Sequence, residues 1–383
     1  MKIIGIICEY NPFHLGHQKQ IDSIRRHFEG DCAIVCLMSG NFVQRGMPAI
    51  FDKASRAEAA LKAGADLVLE LPVTCALSSA EGFAAGGVKI LGGFCDYLCF
   101  GTETGTEKSL MATAEALLRP EFVPALKAQL ETGLSFPAAR AAAMEAMGAD
   151  ASLLRSPNDI LAVEYCKAIL SQGSSMGILP IRREGGYHDT EADGQNPSAT
   201  AVRRLIESDH DWKSCIPEPA YAALADAPIH TLAAGERAML YRLRTMTDDA
   251  FEALPYGSEG LWRKLMHNSR SCSTLEVILE ATKSKRYTRT RLDRMVMCAF
   301  LGITAADLAA DAPYARVLAF NQTGTTVLKA ARKCGLFPHT GERTDHPYQT
   351  LEQRCDDLYG LFRTDMPAHS GKRRVYICSK TSG

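Results

Sequence analysis

Two histidines three residues apart, His14 and His17 in "NPFHLGH", flank a leucine and a glycine near the start of the chain. At that spacing both imidazoles can face one side of a helix's first turn. Gly16 lacks the Cβ that would hold off a planar base or a phosphate. A helix N-terminus adds unpaired N–H donors and partial positive charge. The combination suits a nucleoside triphosphate, with the imidazoles hydrogen-bonding phosphates as charge shifts during attack on the α-phosphorus. The alternative is an ordinary turn, and the neighbouring sequence has to decide.

Other polar stretches extend the pattern. "SGNFVQRGMPA" offers Asn41, Gln44 and Arg45 to a small anionic substrate beside the α-phosphate; otherwise it is a tight loop with a solvated arginine. "FGTE" puts Gly101 at a strand end, where backbone approaches ligand. Asn158 in "SPND" is a ligand of the same site or only a helix-start residue. Arg182 and Arg183 suit phosphate, although for one of them a solvated salt bridge is the competing reading. "PSATAVRR" supplies the hydroxyls of Ser198 and Thr200 and the guanidinium of Arg203, a clamp for departing pyrophosphate or a common capped helix. The densest charge is "KSKRYTRTRLDR". It carries Lys283, Lys285, Arg286, Arg289, Arg291 and Arg294 against Asp293, with Tyr287 among them. That run suits RNA phosphates and one stacked base, or else a salt-bridged face.

The elements that must position these residues are legible. "KIIGIIC" and "CAIVCLMSG" read as strands buried on both faces. "HLGHQKQIDSIRRHF" is a helix between them, and "DKASRAEAALKAG" a second, with Asp52 as N-cap and Gly64 as stop. "ADLVLELPV", "DYLCFGTE" and "MGILPIRREGG" add three strands, and Ser198 can cap a further helix. This alternation predicts an α/β fold: a Rossmann-like parallel sheet over residues 1–215, followed by a mainly helical domain over 216–383. Polar stretches then fall at the carboxyl ends of the strands, where such sheets bind ligands.

Composition narrows the classes. A net charge of −1 gives no general grip on nucleic acid, so any polyanion site must be local. The thirteen cysteines are odd in number and lack finger spacings. They read as reduced core residues such as Cys32, Cys36, Cys95 and Cys99, with no structural metal. The chain opens directly as a strand and contains no apolar run long enough to span a bilayer. A cytoplasmic protein without membrane contact is expected.

The stretches "GIICEYNPFHLGH", "SGNFVQRGMPAIFDKASRAEAAL", "GADLVLELP", "LCFGTE", "SPNDILAVEY" and "KRYTRTRLDRM" together resemble the bacterial tRNA(Met) cytidine acetate ligase family, a branch of the HxGH nucleotidyltransferases. The resemblance covers most of residues 1–300 and is weaker in the last 80 or so. It implies an enzyme that adenylates acetate with ATP and Mg²⁺, releases pyrophosphate, and passes the acetyl group to N4 of the wobble cytidine of elongator tRNA(Met). It also implies an ATP site built from Ile7, Cys8, Glu9, Tyr10, Asn11, Pro12, Phe13, Leu15, Gln18, Lys19 and Gln20 around His14, Gly16 and His17. Gly101, Asn158, Arg182 and Arg183 would complete that site. Leu15 and Met47 stand where members of the family often carry Asn and Glu, and the chain also departs after Gly260-Leu261. Two other readings compete: a small-molecule nucleotidyltransferase, and a non-catalytic RNA-binding relic of the same fold.

Overall fold

Strands that are covered on both faces send alternate side chains into two different cores. The computed structural model describes residues 1–183, 197–284, 286–334, 338–339, 346–365 and 375–378. In β1 (Lys2–Cys8), Ile4 and Ile6 enter one core and Ile7 the other. In β2 (Cys32–Ser39), Ala33, Val35 and Leu37 face one layer while Ile34, Cys36 and Met38 face the other. The helix α1 (Leu15–His27) joins them, and α2 (Lys53–Lys62) leads to β3 (Leu67–Leu71). Asp52 caps α2 by accepting the N–H groups of Ala54 and Ser55, both at 2.9 Å, and Gly64 ends that turn at a φ of +111°. Then follow α3 (Ala80–Leu91), β4 (Tyr97–Thr102), α4 (Pro157–Ser171), β5 (Gly177–Arg182) and α5 (Ala199–Glu207). The helices α1, α2 and α5 cover one face of the sheet; α3 and α4 cover the other.

The remaining chain is mainly helical, as expected, with α6 (Leu232–Thr245), α7 (Leu261–Ser271), α8 (Leu275–Thr282) and α9 (Arg289–Leu301) sharing a third core. That core also takes Phe42, Val73 and Leu77 from the first part of the chain. A sheet confined to residues 1–215 has to be corrected. The strand β6 (Ala315–Phe320) pairs antiparallel with β3, placing Leu67 opposite Phe320 and Glu70 opposite Arg316. After α10 (Gln322–Lys333) and α11 (Pro347–Tyr359), β7 (Tyr376–Ile377) adds to β6, giving the order β7-β6-β3-β2-β1-β4-β5. The short strand Pro338–His339 also pairs with β6.

A buried ion cluster ties α11 to the sheet. Lys53 Nζ lies 2.8 Å from Glu70 and 2.7 Å from Asp356, and Arg316 lies 2.9 Å from Asp356. Glu352 sits beside this cluster, 3.6 Å from Arg316, and burial pushes its carboxyl up to about 7. Among the described residues no helix is long and apolar enough to cross a membrane.

Arg56 is fully buried in α2. Its guanidinium donates to the carbonyls of Phe51 (2.8 Å), Glu9 (2.6 Å) and Ser39 (3.1 Å), and also to Gly40. Removing it strands several buried carbonyls at once, each costing about 1–3 kcal/mol. Arg56→Met is expected to lower unfolding free energy by about 3 kcal/mol or more, read from the urea midpoint at unchanged slope.

Candidate active site

The five parallel strands reverse their order between β1 and β4. Outside the carboxyl ends of those strands, where open α/β sheets bind ligands, lies a cleft of about 540 Å³. The loop after β1 enters it through an extended His14, which is the N-cap of α1. His14 Nδ1 accepts the Gly16 N–H at 3.1 Å, and His17 Nδ1 accepts the His14 N–H at 3.2 Å. The two rings lie 3.8 Å apart, with the Tyr10 ring 4.8 Å from His17. Two histidines thus form a reciprocal capping box.

That geometry fixes their chemistry. A neutral imidazole whose Nδ1 accepts a hydrogen bond carries its proton on Nε2. Burial, and then the charges of Arg183 and Arg203, bring His14 down to about 3. Desolvation, His14 and Arg183 hold His17 well below its ordinary value. Both rings are therefore neutral Nε2–H donors at neutral pH, suited to phosphate oxygens without bringing a proton that must be moved.

The cleft is strongly biased in charge. Lys19, Arg26, Arg45, Arg182, Arg183 and Arg203 line it, and among the described residues the one carboxylate in its wall is Glu9. Glu9 itself accepts the Gln44 N–H at 2.8 Å. Arg203 bridges the Asn11 carbonyl (2.6 Å) and the Thr200 hydroxyl (3.1 Å), so α5 is braced against the nucleotide loop. Ser198 caps α5 through the Ala201 N–H at 3.1 Å, as its sequence suggests. On the opposite wall Asn158 Nδ2 donates to Glu103 at 2.7 Å, and its Oδ1 accepts from Arg183 at 3.3 Å. Arg183 crosses Gly101, where a Cβ would come within 3.1 Å of its side chain. Both arginines line the cleft, but the field of Arg183 is the one felt by both histidines.

Most residues expected in the site meet there: Ile7, Cys8, Tyr10, Asn11, Gly16, Gln20, Gln44 and Arg45 also line the cleft. Five do not. Pro12 and Phe13 are buried, with the Phe13 ring 5.5 Å from that of His17, so both support the loop from behind. Leu15 lies outside the cleft wall, and Gln18 is spent on Asp22 and the Ala63 carbonyl. Asn41 lies outside the cleft wall: its amide donates to Asp356 at 3.0 Å and its oxygen accepts the Lys53 N–H at 2.9 Å. Sequence patterning did not single out Arg26, which follows Lys19 at i+7 and Ser23 at i+3 on one face of α1, or Leu161 and Tyr165, which follow Asn158 at i+3 and i+7. Phe83 and Phe100 add further apolar wall for a planar base. Helical periodicity carried forward from Lys19 and Asn158 would have found three of these.

The basic run lies elsewhere and is largely neutralised. Arg289 meets Glu276 at 2.6 Å, Glu280 at 3.1 Å and Asp293 at 2.8 Å. Arg286 pairs with Glu259 at 2.9 Å, Tyr287 donates to the same carboxylate, and Lys283 is 3.7 Å from Glu280. Arg291 donates to the Tyr256 carbonyl and Arg294 to that of Gln44. Lys285 lies outside the described residues. Most of the acids that pair with the run, Glu259, Glu276 and Glu280, precede it in the chain, which is why the run alone reads as unpaired.

A Rossmann-type sheet with this capped histidine pair at its switch point defines a nucleotidyltransferase, and the family described as HIGH Nucleotidyl Transferase matches residues 1–374. The tRNA(Met) cytidine acetate ligase of Acetivibrio thermocellus is 37% identical over 363 residues, covering 88% of this chain and 87% of its own. The protein of the same name from Clostridium acetobutylicum is 36% identical, covering 98% of this chain and 100% of its own. The chain belongs to the tRNA(Met) cytidine acetate ligase family. Among solved structures, apo Thermotoga maritima TmcAL aligns with a TM-score of 0.90 at 30% identity, covering 99% of this chain and all of that one. A second form of that protein, bound with alpha-thio ATP, aligns at 0.88 and 29% identity, with the same coverage.

The depressed histidines link stability to acid. Unfolded His14 takes up a proton near 6.5, whereas the folded residue refuses it until about 3. Stability is therefore complete above 6.5 and falls as pH drops, by about 1.4 kcal/mol per unit for this group. Urea unfolding at pH 7 and pH 5 should show the native chain losing about 2 kcal/mol more than His14→Asn, which keeps an N-cap but does not titrate.

Proposed function

We propose that this chain is an ATP-dependent tRNA(Met) cytidine acetate ligase. The observation that carries the adenylating half is the cleft at the β1/β4 switch, with two neutral Nε2–H histidines and, among the described residues, six cations and one carboxylate in its wall. Such a wall takes a polyphosphate. Mg²⁺ accompanies the triphosphate as MgATP, where it would neutralise part of the phosphate charge.

Acetate is a poor acyl donor until one of its oxygens carries a good leaving group. Its carboxylate oxygen attacks the α-phosphorus of ATP, the bond to the β-phosphate oxygen breaks, and pyrophosphate departs towards Arg203, Ser198 and Thr200. His14, His17 and the N-terminus of α1 stabilise the charge that grows on the phosphate oxygens. Gln44 and Arg45, in the turn of a small hairpin that pairs Phe42–Val43 with Met47–Pro48, receive the acid. The N4 amine of the wobble cytidine then attacks the acyl carbon and AMP leaves. A base in an anticodon loop reaches such a pocket at modest cost.

The sheet region serves ATP and acetate, and the helical region after residue 216 serves the tRNA. Within the basic run, the exposed Lys283 and Arg286, with Tyr287 and Lys285, contact the tRNA. Surface ion pairs such as Arg286–Glu259 are worth only about 0–1 kcal/mol and exchange readily for phosphate. Arg289, held by three carboxylates, is structural. The tRNA substrate and the absence of a membrane-crossing helix among the described residues support a cytoplasmic enzyme.

Incubation with labelled acetate, ATP and bulk bacterial tRNA is expected to yield N4-acetylcytidine together with AMP and pyrophosphate. AMP formation without labelled tRNA would point instead to a small-molecule nucleotidyltransferase. tRNA binding without either product would point to a relic. In the same assay His17→Ala should cut adenylation by about 100-fold or more, while tRNA affinity by fluorescence anisotropy stays within about twofold.

A further inference from the structure

Gln44 is held from two sides. Its N–H donates to Glu9 of the nucleotide loop at 2.8 Å, and its carbonyl accepts from Arg294 Nη1 of α9 at 3.3 Å. One residue is thereby tied to both the ATP loop and the helical region. Its side-chain amide nitrogen is buried and has no hydrogen-bond partner among the described residues, and the residue lines the cleft. The hairpin has no slack against α9. Gly46 has a φ of +75°, and a Cβ there would come within 2.4 Å of the Arg294 nitrogen and the Asp293 carbonyl carbon. Arg294 is itself braced, its guanidinium 5.1 Å from the centre of the Tyr256 ring. The Tyr256 hydroxyl in turn donates to the Leu77 carbonyl at 2.7 Å.

We infer that Arg294 is a positioning residue for acid activation, fixing Gln44 so that its amide donor meets the carboxylate substrate, and is not a ligand of the tRNA backbone. The inference rests on the acetate-activating reading above. A buried amide donor without a partner is costly, and a carboxylate oxygen is a strong acceptor for it. The donor is useful only if the Gln44 backbone stays where Glu9 and Arg294 hold it. Displacing a positioned group by even an ångström costs orders of magnitude in rate. An arginine set against a ring and a carbonyl on the inner side of α9 is poorly placed to neutralise phosphate from solvent, unlike the exposed Arg286.

ATP–pyrophosphate exchange at varied acetate separates the roles, together with tRNA binding by anisotropy. Arg294→Gln is expected to raise the KM for acetate about tenfold, with the KM for ATP and the Kd for tRNA within about twofold. Arg294→Lys, which keeps a donor, should recover part of that loss and also serves if the glutamine variant melts early. Gly46→Ala, which pushes the hairpin away from α9, should give the same acetate-specific defect. An unchanged acetate KM, or a tRNA Kd that rises as much as the KM, would overturn the positioning role. Absence of acetate-dependent exchange in the native chain would instead sink the acetate-activating reading, and this inference with it.

Discussion

A guanidinium with no exposed surface organises the mouth of the cleft. Arg56 gathers the carbonyls of Glu9, Ser39, Gly40 and Phe51, which belong to the loop after β1, the end of β2 and the lead-in to α2. None of these segments could close on the others with its carbonyls unpaired, because buried acceptors are costly without donors. Arginine suits the role, since a planar fork of five donors stays charged even where burial lowers its pKa. With that knot in place, Glu9 can reach Gln44 and Asn11 can accept from the Ile50 N–H at 2.8 Å. The histidine pair then starts α1 from a fixed point.

Around the knot, charge is arranged by contrast. The cleft concentrates cations in a chain whose net charge is −1, so its field is local and not a property of the whole surface. The histidines within it stay neutral because they are desolvated and sit among those cations. Neutral donors and charged ones complement each other towards a triphosphate: the arginines supply attraction, and the imidazoles supply direction.

Four of the five parallel strands were legible in the sequence because both of their faces are largely buried, which leaves short continuous apolar runs; β5, half-buried at the sheet edge, still keeps such a run. His14, Gly16 and His17 were legible because they follow such a run directly. Asp52 and Ser198 announced helices and do cap them. The illegible features depend on how side chains pack, and several of them on partners far away in the chain. The basic run looked unopposed because Glu276 and Glu280 lie just before it and meet Arg289 through the packing of α8 against α9, while Glu259 comes from ahead of α7. Asn41 looked like a site residue until Asp356, more than 300 positions later, claimed its amide. Arg56, inside an amphipathic pattern, gave no sign that it points inwards. The strand "ARVLAF" is too short and too isolated to reveal that it pairs with "LVLEL".

That last pairing bears on how the protein is made. β3 is buried along its whole length and borders β2 on one side and β6 on the other. During synthesis β3 leaves the ribosome almost 250 residues before β6, so an apolar edge with unpaired N–H and C=O groups must wait for its neighbour. The first 215 residues therefore hold nearly every ligand-facing residue of the cleft but not the means to seal their own sheet. A nascent chain halted between the two would carry an assembled nucleotide loop beside an open edge, the kind of surface that chaperones bind and that other chains can add to.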